Sequence, residues 1–126
     1  MSLDASLEPR LDFAIIDQVR QLGAVRPGLL HRLVERFNDS AREFLDSAAR
    51  EAGSEAASER LRLGFHSLKG SSASLGASRL SALAWEAELA FGAGVAPDAL
   101  RACIDAARIE FDQAIESLRN YIRANC

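Results

Sequence analysis

Apolar residues recur at intervals of three and four along nearly the whole chain, which is the spacing of a buried stripe on an α-helix. The segment before Gly53 illustrates this spacing with Leu30, Leu33 or Val34, Phe37, Ala41, Phe44, Leu45 and Ala48. The sequence also has no threonine, four valines and six isoleucines, so the β-branched residues that strands favour are scarce. These features exclude an all-β fold and predict an all-α one.

Glycine and proline divide this pattern into helices, because proline favours the first turn of a helix and glycine its C-terminal cap. They predict a short helix from about Asp12 to Leu22, a long helix from Pro27 to Gly53, a third from Ser54 to about Leu75, a fourth capped by Ser78 and broken at Gly92-Ala93-Gly94, and a last long helix after Pro97. Short connections between long amphipathic helices favour antiparallel neighbours. We therefore predict an up-and-down antiparallel four-helix bundle, with the short N-terminal helix packed on one end.

The length of 126 residues fits one globular domain. Residues 1–10 are predicted to be a flexible lead-in or an expression scar, and residues 11–126 to be the helical domain. The net charge of −3 argues against a nucleic-acid partner, and no apolar run approaches the roughly 18 residues of a membrane span, so we expect no direct membrane contact. Cys103 and Cys126 give neither a metal spacing nor a disulfide framework, which favours a reducing, cytoplasmic setting.

One part of the third helix breaks the local rules. The run His66-Ser67-Leu68-Lys69-Gly70-Ser71-Ser72 places a glycine and three serines inside a helix, where glycine costs about 1 kcal/mol relative to alanine. At 100° per residue, His66 should face away from the stripe formed by its apolar neighbours, with Lys69 and Gly70 beside it on the same surface. A neutral imidazole carries a nucleophilic lone pair, Lys69 would offset the charge of a bound anion, and Gly70 would leave room for a partner. Spacing alone also allows a surface histidine beside a solvated lysine, with Gly70 serving close helix packing.

The run from Phe65 to Ala77 closely resembles the core motif of histidine phosphotransfer (HPt) domains, in which His-x-x-Lys-Gly-Ser/Ala-Ser/Ala is followed by Leu-Gly. The resemblance extends over about residues 11–123 in the length and order of the helices. It implies a four-helix bundle whose exposed histidine, here His66, relays phosphoryl groups between the aspartates of response-regulator receiver domains. It also implies that this chain needs no cofactor, since the Mg²⁺ that offsets charge would sit in the acidic pocket of the receiver.

Members of that family tend to carry a Gln or Glu on the following helix that accepts a hydrogen bond from the histidine ring, and Glu88 is the matching position by likeness. Such a bond would keep the proton on Nδ1 and leave Nε2 free to attack. The periodicity does not decide between Glu88 and Glu86 for this role, because the two residues border opposite sides of the same buried stripe. A solvated surface role for Glu88 stays open.

Other residues of the chain carry weaker functional signals. Arg62, Gly70 and Ala73 share the face of His66 and are candidates for partner docking, with a plain solvated face as the alternative. His31 is expected on the surface, and Trp85 is expected to pack rather than to hold a ligand. No nucleotide loop, catalytic triad or metal-binding cluster is present in the sequence, so we expect no ATP binding, no metal and no autokinase activity.

We thus predict a monomeric phosphotransfer module that works with receiver domains, either free-standing or attached to a hybrid histidine kinase. The nearest alternative is the phosphorylation domain of a chemotaxis-type kinase, which takes its phosphoryl group from its own kinase domain. A helical adaptor without phosphochemistry is a second alternative. A metal-binding four-helix bundle ranks last, because it needs several inward-facing His and Glu residues and the chain has only two histidines.

Overall fold

A computed structural model describes residue 5, residues 8–23 and residues 26–126. These residues form five helices, α1 (Phe13–Leu22), α2 (Leu29–Glu51), α3 (Glu55–Ser74), α4 (Ser78–Ala93) and α5 (Pro97–Asn125), and contain no strand. The all-helical prediction is therefore confirmed for the described residues. None of these helices combines the length and the apolarity needed to cross a membrane.

The helices begin and end at capping signals that the sequence carries. The Asp12 carboxylate accepts hydrogen bonds from the amides of Ala14 and Ile15 at the start of α1, and the Ser54 hydroxyl accepts one from Ala57 at the start of α3. Two predicted starts are wrong by one or two residues. Helix α2 begins at Leu29, because Gly28 takes a positive φ of 78° before it, and Ser78 is the first residue of α4 rather than its cap, a position held by Ala77.

The connection between α3 and α4 explains the second shift. The amide of Ala77 donates to the carbonyl of Ser72 at 2.9 Å, and that of Gly76 donates to Ala73 at 3.0 Å, which is the Schellman pattern of a helix C-terminus. It needs a residue with positive φ, and Gly76 supplies it at 76°. A side chain at Gly76 would also lie 2.8 Å from the carbonyl oxygen of Asp12. The carbonyl of Ala77 accepts the first hydrogen bond of α4, from the amide of Ser81 at 3.0 Å, so the fourth helix starts directly after Ala77 and lies against α3.

The predicted stripes of α2 and α3 pack in the core. Helix α3 packs on α4, α4 on α5, α5 on α2, and α2 on both α1 and α3. On α3 the inward residues are Leu61, Phe65, Leu68, Ser72 and Leu75, and all five are buried. Phe65 lies at the centre of an aromatic group, with its ring centroid 4.9 Å from that of Phe44 and 5.9 Å from that of Phe91. Since its inner face is fixed by this packing, α3 presents its opposite face to solvent.

The residues just before α1 are attached to the domain. The carboxylate of Glu110, on the inner side of α5 and only 7% exposed, lies 2.9 Å from Arg10 and 3.8 Å from Arg79 of α4. Arg79 also donates to the carbonyl of Glu8 at 3.0 Å. In the predicted lead-in, residues 1–4, 6 and 7 lie outside the described residues. Glu8 contacts α4 and Arg10 contacts α5 through these bonds.

Candidate functional site

His66 projects from the solvent-facing side of α3, and its side chain is 60% exposed. Phe65, directly before His66, and Leu68, two residues after it, are buried in the core. This packing prevents α3 from rotating and holds the imidazole at the surface next to α4.

Glu88 of α4 faces the imidazole across the seam between the two helices. Its Oε2 and Oε1 atoms lie 2.8 Å and 3.2 Å from His66 Nδ1. Burial alone would raise the pKa of this carboxyl, which is 13% exposed, but the hydrogen bond with His66 and the charge of Lys69 outweigh burial and lower its pKa. The carboxylate is therefore ionised at neutral pH and can only accept a hydrogen bond. It follows that Nδ1 carries the proton, and that a neutral His66 ring has its lone pair on Nε2.

Lys69 lies one helical turn after His66 and also reaches towards α4. Its Nζ atom is 3.4 Å from Glu88 Oε1 and 5.9 Å from the centroid of the Trp85 ring. The carbonyl oxygen of Lys69 accepts a hydrogen bond from the Ser81 hydroxyl at 2.8 Å. One carboxylate thus contacts both the imidazole and the ammonium, while the backbone of α3 is tied to α4 at the same level.

The two glycines inside α3 occupy opposite environments. A Cβ atom added to Gly70 would meet nothing within 4 Å, whereas one added to Gly64 would lie 2.0 Å from Cε1 of Phe44. Close helix packing therefore accounts for Gly64, a position that the sequence pattern did not single out. Gly70 leaves open space one turn from His66.

The predicted docking residues and Glu86 make contacts of their own on α3 and α4. Arg62 is paired with Glu59 on its own helix, with Nε 2.9 Å from Oε2, and Ala73 is exposed. Ala73 lines a shallow groove of about 270 Å³ together with Lys69 and Trp85. Glu86, the alternative to Glu88, accepts a hydrogen bond from the amide of Ala5 at 3.2 Å.

The remaining candidates lie outside this arrangement. His31 is exposed on α2, and Cys103 and Cys126 are free thiols. Within the described residues, no group of three or more His, Cys, Asp or Glu side chains is placed to hold a metal ion.

Comparison with known proteins identifies the family. The family model of the Hpt domain matches residues 32–121. The chain belongs to the Hpt domain family. The structure of a histidine-containing phosphotransfer protein from rice resembles this Hpt domain with a TM-score of 0.73 and 22% sequence identity, over 90% of this chain and 85% of that chain, which shows a shared fold. No curated protein sequence matches the chain significantly.

The sequence pattern placed Trp85 among packing residues, but its side chain is 36% exposed and lies beside Lys69. A signal for this pairing exists in the sequence. When two helices run antiparallel, a step of three residues forward on one matches a step of three back on the other, so a pairing of His66 with Glu88 implies one of Lys69 with Trp85. The register between the two helices is what had to be known first.

Proposed function

We propose that His66 of this Hpt domain accepts a phosphoryl group from the aspartate of one receiver domain and passes it to the aspartate of another. The observation that carries this proposal is the contact between Nδ1 and the Glu88 carboxylate, 2.8 Å long, on a ring that is 60% exposed. The contact leaves the nucleophilic nitrogen on the side of the ring that a partner can approach.

The transfer conserves every proton on the ring. The Nε2 lone pair attacks the phosphorus of the aspartyl phosphate in line with the bond that breaks, and the electrons of that P–O bond return to the receiver's carboxylate. The imidazole then carries the phosphoryl group on Nε2 and a proton on Nδ1, with a net positive charge on the ring. Glu88 stabilises this charge by accepting a hydrogen bond from the Nδ1–H group. In the second transfer, an aspartate of the next receiver attacks the phosphorus, and the N–P electrons return to Nε2.

The residues around His66 support this chemistry in different ways. Lys69 provides an ammonium group beside the phosphoryl oxygens. Gly70 keeps the path of the incoming receiver open, and half-buried Arg62 and exposed Ala73 extend the docking face along α3.

We also infer the arrangement of the helices and the state of the chain. The neighbour relations among α2, α3, α4 and α5 and their short connections support an up-and-down antiparallel four-helix bundle, with α1 packed on one end. We propose residues 11–126 as the domain, and a monomer in the cytoplasm that acts as a carrier without autokinase activity.

Label transfer from receiver domains tests the proposal. Each member of a panel of receiver domains is phosphorylated with radiolabelled acetyl phosphate and mixed with the wild-type chain, with His66→Gln, and with His31→Gln as the matched control. We expect label on wild type and His31→Gln, stable in base and lost in acid, and none on His66→Gln or on any form incubated with ATP alone. Label on His66→Gln, or none on wild type from any receiver, would overturn the proposal.

A further inference from the structure

Four side chains form two contacts between α3 and α4. His66 contacts Glu88, and one helical turn further along Lys69 lies beside Trp85. Lys69 also contacts Glu88, with Nζ 3.4 Å from its Oε1 atom.

Trp85 is the only tryptophan of the chain, and its position differs from that of the core aromatics. Phe65, Phe91 and Phe111 are almost fully buried, whereas Trp85 is 36% exposed. A cation within about 6 Å of an indole centroid is attracted by the negative face of the ring, and Lys69 Nζ lies at 5.9 Å. The indole therefore provides the ammonium with a second neighbour besides the carboxylate.

These neighbours of the ammonium matter because a lysine side chain has a flexible four-carbon stem and many rotamers. Without neighbours on α4, the ammonium would sample solvent for much of the time. The Ser81 hydroxyl, bonded to the Lys69 carbonyl at 2.8 Å, holds the two helices together at this level. The backbones of Lys69 and Trp85 thus stay at a constant separation.

We propose that Trp85 is a positioning residue that holds the Lys69 ammonium beside His66, ready for the phosphoryl group. This inference rests on the function proposed above. When the phosphoryl group arrives, its oxygens become the preferred partners of Lys69, while Glu88 keeps accepting the hydrogen bond from Nδ1 of His66. The indole retains the lysine at the site during this exchange of partners, so the cation does not have to be recruited from solvent.

A double-mutant cycle isolates this role from a general effect on folding or docking. Trp85→Leu removes the aromatic face but keeps an apolar side chain, and Trp85→Phe restores an aromatic face. We expect transfer to slow by about two- to fivefold in Trp85→Leu, which corresponds to a surface cation–π contact, and to recover largely in Trp85→Phe. In a Lys69→Met background, Trp85→Leu should cause little further loss. Ile109→Ala, which trims an exposed apolar residue of α5, is the matched control and should transfer at the wild-type rate.

A second measurement does not depend on phosphotransfer. Because Trp85 is the sole tryptophan, the intrinsic emission of the chain reports its surroundings, and Lys69→Met should change that emission in the absence of any receiver. An unchanged emission spectrum would overturn the inference, and so would equal losses of transfer rate from Trp85→Leu with and without Lys69. Neither result would overturn the proposed function as long as the wild-type chain takes label from a receiver. If the wild-type chain takes no label from any receiver, the proposed function fails instead.

Discussion

Replacing Gly70 and Gly64 separately by alanine tests whether the two glycines of α3 have the different roles that their surroundings indicate. Alanine favours a helix interior by about 1 kcal/mol over glycine, and this gain applies at both positions. At Gly70 nothing within 4 Å opposes the new methyl group, so the free energy of unfolding should rise by up to about 1 kcal/mol.

At Gly64 the same methyl group would lie 2.0 Å from Cε1 and 2.5 Å from Cζ of Phe44. That ring cannot move away freely, because it packs edge-on against Phe65 with centroids 4.9 Å apart. Overpacking of this kind costs about 1–3 kcal/mol. Since the helix-propensity gain is common to both variants, the difference between their unfolding free energies measures the overpacking alone and should be about 1–3 kcal/mol in favour of Gly70→Ala.

Urea unfolding followed by circular dichroism, analysed for midpoint and slope, measures these differences. Phosphotransfer rates measured on the same samples should not follow stability at position 70. Gly70→Ala should transfer more slowly than wild type although it is more stable, and Gly70→Gln should transfer more slowly still although it folds. A destabilised Gly70→Ala, or a Gly64→Ala as stable as Gly70→Ala, would refute this reasoning. A loss of transfer fully explained by a loss of stability would remove the docking role of Gly70.

Three further changes are predicted from single contacts. Lys69→Ala should slow phosphotransfer while changing the free energy of unfolding by less than about 1 kcal/mol, and rates equal to wild type at every salt concentration would contradict its role. Glu88→Gln should lower stability by roughly 1 kcal/mol at neutral pH. The folded state lowers the pKa of Glu88, so the stability difference between wild type and Glu88→Gln should be fully present above the ordinary pKa of the carboxyl. It should vanish as pH falls through the lowered pKa of the folded state, and a stability difference that persists in acid would be contrary evidence. Ser72→Ala should leave stability unchanged or raise it by about 1 kcal/mol in urea unfolding, since the buried Ser72 hydroxyl has no hydrogen-bond partner among the described residues; a clear loss would reveal a partner.

The helices could be predicted from the sequence because each depends on a local pattern. The stripe of α3 and its cap at Ser54 follow from spacing and side-chain chemistry within one turn. The starts of α2 and α4 were misplaced because they depend on backbone conformations at Gly28 and Gly76, which a residue preference indicates only approximately.

The contacts between helices were harder to predict. Gly64 against Phe44, Trp85 against Lys69 and Glu110 against Arg10 each join residues of different segments. Their pairing depends on the register and rotation of one helix relative to the next, which the periodicity of a single helix does not determine. The family motif supplied this information for His66 and Glu88, and through that pair for Lys69 and Trp85, but not for Gly64 or Glu110.

Nitrogen NMR of the histidine-labelled chain measures directly which nitrogen of which histidine carries the phosphoryl group. The chain has only two histidines, His31 and His66, so the ring signals can be assigned with one variant of each. After incubation with a phosphorylated receiver, we expect a phosphoryl group on Nε2 of His66, a retained proton on Nδ1 and an unchanged His31. A phosphoryl group on Nδ1 of His66, or on His31, would contradict it.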